Sequence, residues 1–142
     1  MPTVPYDESE IPADGVIIRR INPDHHVVWD GNRGCRRISS KAFTPSSGEN
    51  GGMSVDIEAK IIAAGSNPRE YVTTPVFTGS VHFLAGDARA LALIVGYDPL
   101  PDNPHHGEIW GRANPARFTN AQKKGLHGLS RWYVALEAVE IR

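Results

Sequence analysis

Residues 80–99 read SVHFLAGDARALALIVGYDP, and they decide the fold class because a helix and a strand meet inside them. Val81, Leu84, Ala85, Ala88, Leu91 and Ala92 recur at steps of three and four, the repeat of one helix face. Gly86 weakens that helix by roughly 1 kcal/mol relative to alanine, too little to overturn the period. Leu93 to Tyr97 then reads as a strand, and Asp98-Pro99-Leu100-Pro101 breaks it. Glu108 to Gly111 (EIWG) is a second short strand, and the two together predict a hairpin.

On the N-terminal side, Val16 to Ile21 (VIIRRI) is rich in β-branched residues and follows Gly15, which predicts a strand. Asn22-Pro23-Asp24 is a turn signal, His26 to Trp29 a second strand, and Asp30-Gly31-Asn32 closes it. These two strands read as another hairpin. Arg36 to Phe43 is extended or irregular, and Thr44 to Gly52 (TPSSGENGG) is a loop. Ser54 precedes a helical pattern in which Val55, Ile57, Ile61, Ile62 and Ala64 supply the apolar face. Asp56 and Glu58 fall in its first turn, and Gly65 is a stop. Asn67-Pro68 begins a further helical turn.

Toward the C-terminus, Thr119 and Gln122 have capping-box spacing, in which each side chain satisfies a backbone N–H at the helix start. Leu126, Leu129, Trp132, Tyr133 and Leu136 continue at helical spacing. The expected architecture is α+β: a single compact domain over residues 16–142, with a small antiparallel or mixed sheet from two hairpins packed by about three helices. Residues 1–15, with three prolines and four acids, read as a flexible acidic arm.

A chain of 142 residues can bury one core without staples. No apolar run reaches the ~18 residues of a membrane span, and the start of the sequence lacks the basic and apolar segments of a secretory signal. With Cys35 as the single cysteine, a cytoplasmic location is expected. The net charge of -1 argues against general nucleic-acid binding, which needs many phosphate contacts. The charge is uneven, however. Asp7, Glu8, Glu10 and Asp14 stand together without a base, whereas Arg19, Arg20, Arg33, Arg36, Arg37 and Lys41 face only Asp24 and Asp30 between residues 16 and 41.

Six histidines are present, four of them in the adjacent pairs His25-His26 and His105-His106. Asp24-His25-His26 and the loop segment from Asp102 through His106 to Glu108 could each supply an oriented acid or base. His25, His106 and Glu108 are the candidate catalytic residues. Successive strand side chains point to opposite faces, so one histidine of a pair at most reaches a given site. The spacing of known two-histidine metal motifs is missing, so no metal is assigned. Arg36-Arg37-Ile38-Ser39-Ser40 combines guanidinium forks with hydroxyls suited to an anion cradle. With Arg20, these residues form the candidate anion site, although the acidic arm lying across the basic stretch would account for them equally well. Trp29 and Trp110 could stack a base, and Cys35 beside arginines would favour its thiolate, but core and incidental roles explain these three better.

RRINPDHHVVWDGNRGCRRISSKAF with MSVD, and ARALALIVGYDPLPDNPHHGEIWGR with the helix after it, resemble a group of short bacterial proteins that end with a helix after an H-x-x-x-x-G segment. The resemblance covers roughly residues 18 to 135. That group has no established activity. The resemblance adds weight to Asp24, Arg37, Ser39, Ser40 and His106 and transfers no catalytic role.

The sequence holds no complete catalytic motif. The leading expectation is therefore a small binding or accessory domain that works with a larger protein partner, in a bacterial conflict or regulatory system, without cofactor and without a membrane. The alternative is an enzyme acting on a phosphate-bearing, nucleotide-like substrate through His and Arg. A metal-dependent hydrolase ranks third.

Overall fold

A computed structural model of the chain describes residues 5–45, 51–112 and 117–142. Its strands are β1 (Val16–Ile21), β2 (Val27–Asp30), β3 (Cys35–Ile38), β4 (Met53–Ile57), β5 (Gly79–Leu84), β6 (Ile94–Tyr97), β7 (His106–Trp110), β8 (Arg131–Val134) and β9 (Val139–Glu140). Its helices are α1 (Pro23–His26), α2 (Glu58–Ala63), α3 (Pro68–Val72), α4 (Ala85–Ala90) and α5 (Asn120–Leu129). The large sheet runs β6-β7-β4-β1-β5-β8, and every neighbouring pair in it is antiparallel. The small sheet runs β2-β3-β9, antiparallel and then parallel. The fold is a single compact α+β domain. Its main sheet has six strands, more than two hairpins supply, and five short helices replace the expected three. No helix among the described residues is long and apolar enough to cross a membrane.

Several elements differ from the reading of the sequence, each for a local reason. Val16–Ile21 and His26–Trp29 do not pair. Asn22 caps a one-turn helix instead, its side chain accepting from the Asp24 N–H, with Pro23 at the first helical position. The partner of β2 is β3. The turn between them is fixed by the Asp30 carboxylate, which accepts from Asn32 N (3.0 Å) and Arg33 N (3.2 Å), and by Gly34 at φ 65°. The helix expected from Ser54 begins only at Glu58, because Met53–Ile57 is a strand that pairs with β7. The helix expected over residues 81–92 is a strand to Leu84, matched to β1 along six residue pairs, and helix only from Ala85. The capping box at Thr119 and Gln122 is formed, but α5 stops at Leu129. There Ser130 turns its hydroxyl back onto the Leu126 carbonyl (2.7 Å), and Trp132 and Tyr133 continue as strand. The helical turn at Asn67-Pro68 and the β6–β7 hairpin form as expected. Of the loop expected at 44–52, residues 46–50 lie outside the described residues.

Cross-strand partners share a face, so the register divides the large sheet in two. Ile17, Ile21, Val55, Ile57, Val81, Phe83, Val95 and Ile109 form the core on one face. Ile38 and Val139 of the small sheet, Phe43 and Leu126 cover them. On the other face Ile18, Ile61, Val72 and Tyr133 make a second cluster beneath α2 and α3. That face also carries Arg20, Ser54, Asp56, His106 and Glu108, so half of it is polar.

The acidic N-terminal segment, read as a flexible arm, lies from Pro5 onward along the outer side of β6. Glu8 N donates to Val95 O (2.8 Å), Val95 N to the Asp7 carboxylate (3.1 Å), and Ile11 enters the core. The cation that takes Asp7 is Arg89 (3.0 Å), which also donates to the Ile11 and Glu8 carbonyls. The basic stretch between residues 16 and 41 does not take it.

Close packing here leaves a specific test. A Cβ on Gly96 would stand 2.3 Å from the Trp110 ring and 2.8 Å from Tyr6 O. Trp110 is buried and has no room to retreat. Gly96→Ala is expected to cost about 2 kcal/mol in urea denaturation, the range of an overpacked core. An unchanged midpoint would contradict this packing.

Candidate functional site

β1 pairs with β5 along its whole length, but its ladder with β4 is two pairs long, Ile17↔Ile57 and Ile18↔Asp56. Past Ile18 the two strands no longer pair, and the Arg19 side chain occupies the seam. Arg19 Nη1 donates to Ser54 O (2.9 Å) and Nε to Ala42 O (2.9 Å). Only 6% of Arg19 is exposed, and this burial lowers its pKa to about 10 even though Glu108 and Asp56 pull it upward. It remains a cation at neutral pH, held among carbonyls and carboxylates in the centre of the fold.

Arg20 points to the opposite face. Its fork grips Asp56 through Nε (2.8 Å) and Nη2 (3.1 Å). Asp56 also accepts from Asn103 Nδ2 (2.9 Å), and the Asn103 oxygen accepts from Tyr71 OH (2.7 Å) and His105 N (3.2 Å). The His105 ring stands edge-on to Tyr71 at 5.0 Å. Nη1 of Arg20 makes no hydrogen bond among the described residues.

His106 lies directly across from Asp56 on β7. Its Nδ1 is 2.7 Å from the main-chain oxygen of Asp98. A carbonyl oxygen can only accept, so Nδ1 carries the proton and exchange is left to Nε2. Nε2 stands 3.9 Å from Glu108 Oε1. A pocket of about 230 Å³ opens over the seam, lined by Arg19, Arg20, Ser54, Val55, Asp56, Phe77, Asn103 and His106. A slightly larger pocket of about 270 Å³ lies under the N-terminal segment. It has an apolar floor, and Lys60 already sits 4.0 Å over its Tyr97 ring. Arg19, Asp56, His106 and Glu108 are all buried around the seam, a costly arrangement that concentrates the chemistry of the domain there.

Asp98, His106 and Glu108 can present ligand atoms within 4.8 Å of one another. One feature works against a divalent cation among them: the Arg19 charge acts on Glu108. The Nδ1–H bond of His106 to the Asp98 carbonyl leaves Nε2 free to ligate.

Of the candidate residues, the structure brings Arg20 and His106 to one pocket and sets Glu108 beside His106. His25 is exposed on α1. Arg36 is exposed on β3, and Arg37 turns to Asp30 (2.9 Å) and the Ile38 carbonyl. Ser39 caps the 3-10 turn at Ser40–Ala42, so its oxygen accepts from Lys41 N (3.2 Å), and Ser40 is part of that turn. Arg36, Arg37, Ser39 and Ser40 therefore do not converge on one cradle. Cys35 is half-buried at the end of β3, Trp110 is core, and Trp29 is 67% exposed. The sequence reading missed Asp56, which meets Arg20 from 36 residues away in the chain, and Asn103, which joins Asp56 from 47 residues away. No protein-family model, curated protein or solved structure matches the chain.

Two outcomes follow from these contacts. Asp56→Ala leaves Arg20 and Asn103 without their acceptor, and is expected to cost about 3 kcal/mol in urea denaturation. A loss below about 1 kcal/mol would show the pair to be as weak as a surface bridge. The second concerns His26, whose Nδ1 accepts from Asn22 N (3.0 Å). Burial first, then the charges of Arg19 and His25, lower its pKa from 6.5 to about 4. The folded protein therefore takes up its proton later than the unfolded chain does. The stability it contributes is full above pH 6.5 and is lost as pH falls toward 4, on the order of 2 kcal/mol. NMR titration should place the His26 midpoint near 4, and His26→Gln should flatten the stability loss between pH 6.5 and 4.5. A midpoint near 6.5 would remove this effect.

Proposed function

We propose that the chain is a small ligand-binding domain, and that the seam pocket takes a small polar molecule that offers an oxygen acceptor to Arg20 and an N–H or O–H donor to His106. The observation that carries this reading is the pairing of a donor and an acceptor at one pocket: the uncommitted Nη1 of Arg20, and the unprotonated Nε2 of a buried His106 whose other nitrogen donates to Asp98. Both arginines already face carboxylates, Asp56 and Glu108, so the pocket has little net charge to offer. That balance, with one donor and one acceptor facing the pocket, favours an amide or a hydroxyl-bearing carbonyl compound over a dianion. A volume of about 230 Å³ suits a molecule of one ring.

The fixed tautomer of His106 also supports a second reading, an enzyme in which Nε2 passes a proton to or from the bound molecule beside Glu108. In that case His106 and Glu108 are catalytic and Arg20 orients the substrate. The accessory-domain reading draws on another feature: Trp29 and Val28 are exposed on the outer strand of the small sheet, where a protein partner would find an apolar anchor.

A thermal-shift panel of small carboxylates, amides, nucleosides and nucleoside monophosphates tests the pocket, using the full chain, Arg20→Gln and His106→Gln. A ligand at a hundred times its dissociation constant adds about 2.7 kcal/mol, a shift of several degrees for a domain of this size. The shift is expected in the wild type and should be lost in both variants. No shift with any member, or the same shift in all three proteins, overturns the proposal. Turnover of the bound compound, abolished in His106→Gln, would favour the second reading.

A further inference from the structure

A cluster of positive charge lies away from the seam, in the open depression between the β2–β3 turn and the C-terminal half of α5. Arg33, Arg37, Lys124 and Arg142 line its volume of about 310 Å³, and Asp30 is the one carboxylate side chain among them. The whole chain has 15 Lys and Arg against 16 Asp and Glu. Four cationic side chains around one carboxylate side chain are therefore a local excess over the near balance of the whole composition. We infer that this depression is a second binding site, and that it takes a phosphate dianion, free or as the terminal phosphomonoester of a small molecule.

The three arginines are held in place by contacts that leave part of each one available. Asp30 accepts from Arg37 Nε (2.9 Å), and Arg37 Nη1 donates to Ile38 O (3.2 Å), which leaves Nη2. Arg142 Nη1 donates to the carbonyls of His127 (3.2 Å) and Ser130 (3.0 Å), closing the end of α5 and leaving Nε and Nη2. Arg33 reaches the main-chain oxygen of Arg142 through Nη1 alone. The Lys124 ammonium has no hydrogen bond or ion pair among the described residues. The floor is His127, stacked 5.4 Å from Phe43 with its Nε2 proton on the Ile141 carbonyl. Forks fixed in this way lose little freedom when an anion arrives, and guanidinium edges match phosphate oxygens.

The seam and this depression differ in charge and therefore in ligand. The seam sets Arg20 against Asp56, whereas the depression holds more cationic than anionic side chains. A dianion is the smallest common ligand that uses such a surplus. The excess is confined to one depression in a chain of net charge -1, which fits a single phosphate group better than the long phosphate track of a nucleic acid.

The test is titration of the full chain with inorganic phosphate, phenyl phosphate and a ten-nucleotide single-stranded DNA, followed by calorimetry and by amide chemical shifts. Inorganic phosphate and phenyl phosphate should bind and move amides in residues 30–37 and 124–129. Lys124→Gln and Arg33→Gln, which remove no buried contact, should each weaken binding roughly tenfold, equivalent to about 1.4 kcal/mol. His106→Gln should leave it unchanged, which separates this site from the seam. Binding unaffected by the Lys124 and Arg33 changes, or shifts centred on the seam, overturns the assignment. Absence of phosphate binding overturns it as well, and DNA binding without phosphomonoester binding replaces it with a backbone-phosphate site.

Discussion

One buried guanidinium holds the centre of this fold. Where β1 and β4 stop pairing, backbone carbonyls of β4 and of the segment after β3 would face each other unsatisfied in the core. Arg19 fills that place and donates to Ser54 O and Ala42 O. Hydrophobic side chains could fill the volume, but they could not satisfy the carbonyls, and an unpaired buried acceptor costs about as much as a lost hydrogen bond. The charge brought in by Arg19 then requires carboxylates nearby, and Glu108 and Asp56 supply them. Asp56 in turn positions Arg20, and Glu108 stands beside His106. A gap in a ladder is thus the origin of the polar face, and the polar face is the origin of the pocket.

Charge is distributed among three regions with different balances. At the seam, cations and anions are matched and largely buried. Along β6, Arg89 pairs with Asp7 at the surface and the acids of the segment outnumber it. Between the β2–β3 turn and α5 the cations outnumber the anions. The overall charge of -1 hides this partition, because it sums over regions that do not interact.

How much of this was legible in the sequence depends on whether a boundary has a side-chain signal. The start of α5 was, since Thr119 and Gln122 form the reciprocal bonds that their spacing announces. The start of α3 was, through Asn67 and Pro68. The starts of α2 and α4 were not: strands run straight into both helices at Ile57 and Leu84, and neither residue has a side-chain cap. With no stop signal, the helical period of the alanine-rich part spread backward over β5, and Asp56 read as a helix first-turn residue when it is a strand residue gripping Arg20. The site was legible only in its residue types. His106 and Glu108 share a face because they are two apart on a strand, but what surrounds them comes from β1, β4 and the loop at Asn103, and local pattern cannot specify contacts at such separations.

The short β1–β4 ladder has a mechanical meaning as well. The six-stranded sheet is two three-stranded halves, β6-β7-β4 and β1-β5-β8, and two residue pairs stitch them together. Inside each half the ladders are longer and stiffer. Bending or shear applied to the large sheet therefore concentrates at the stitch, at Ile17 and Ile18. The pocket sits on that line. Any molecule that bridges Arg20 and His106 ties one half of the sheet to the other, and acts as a splint across its shortest ladder.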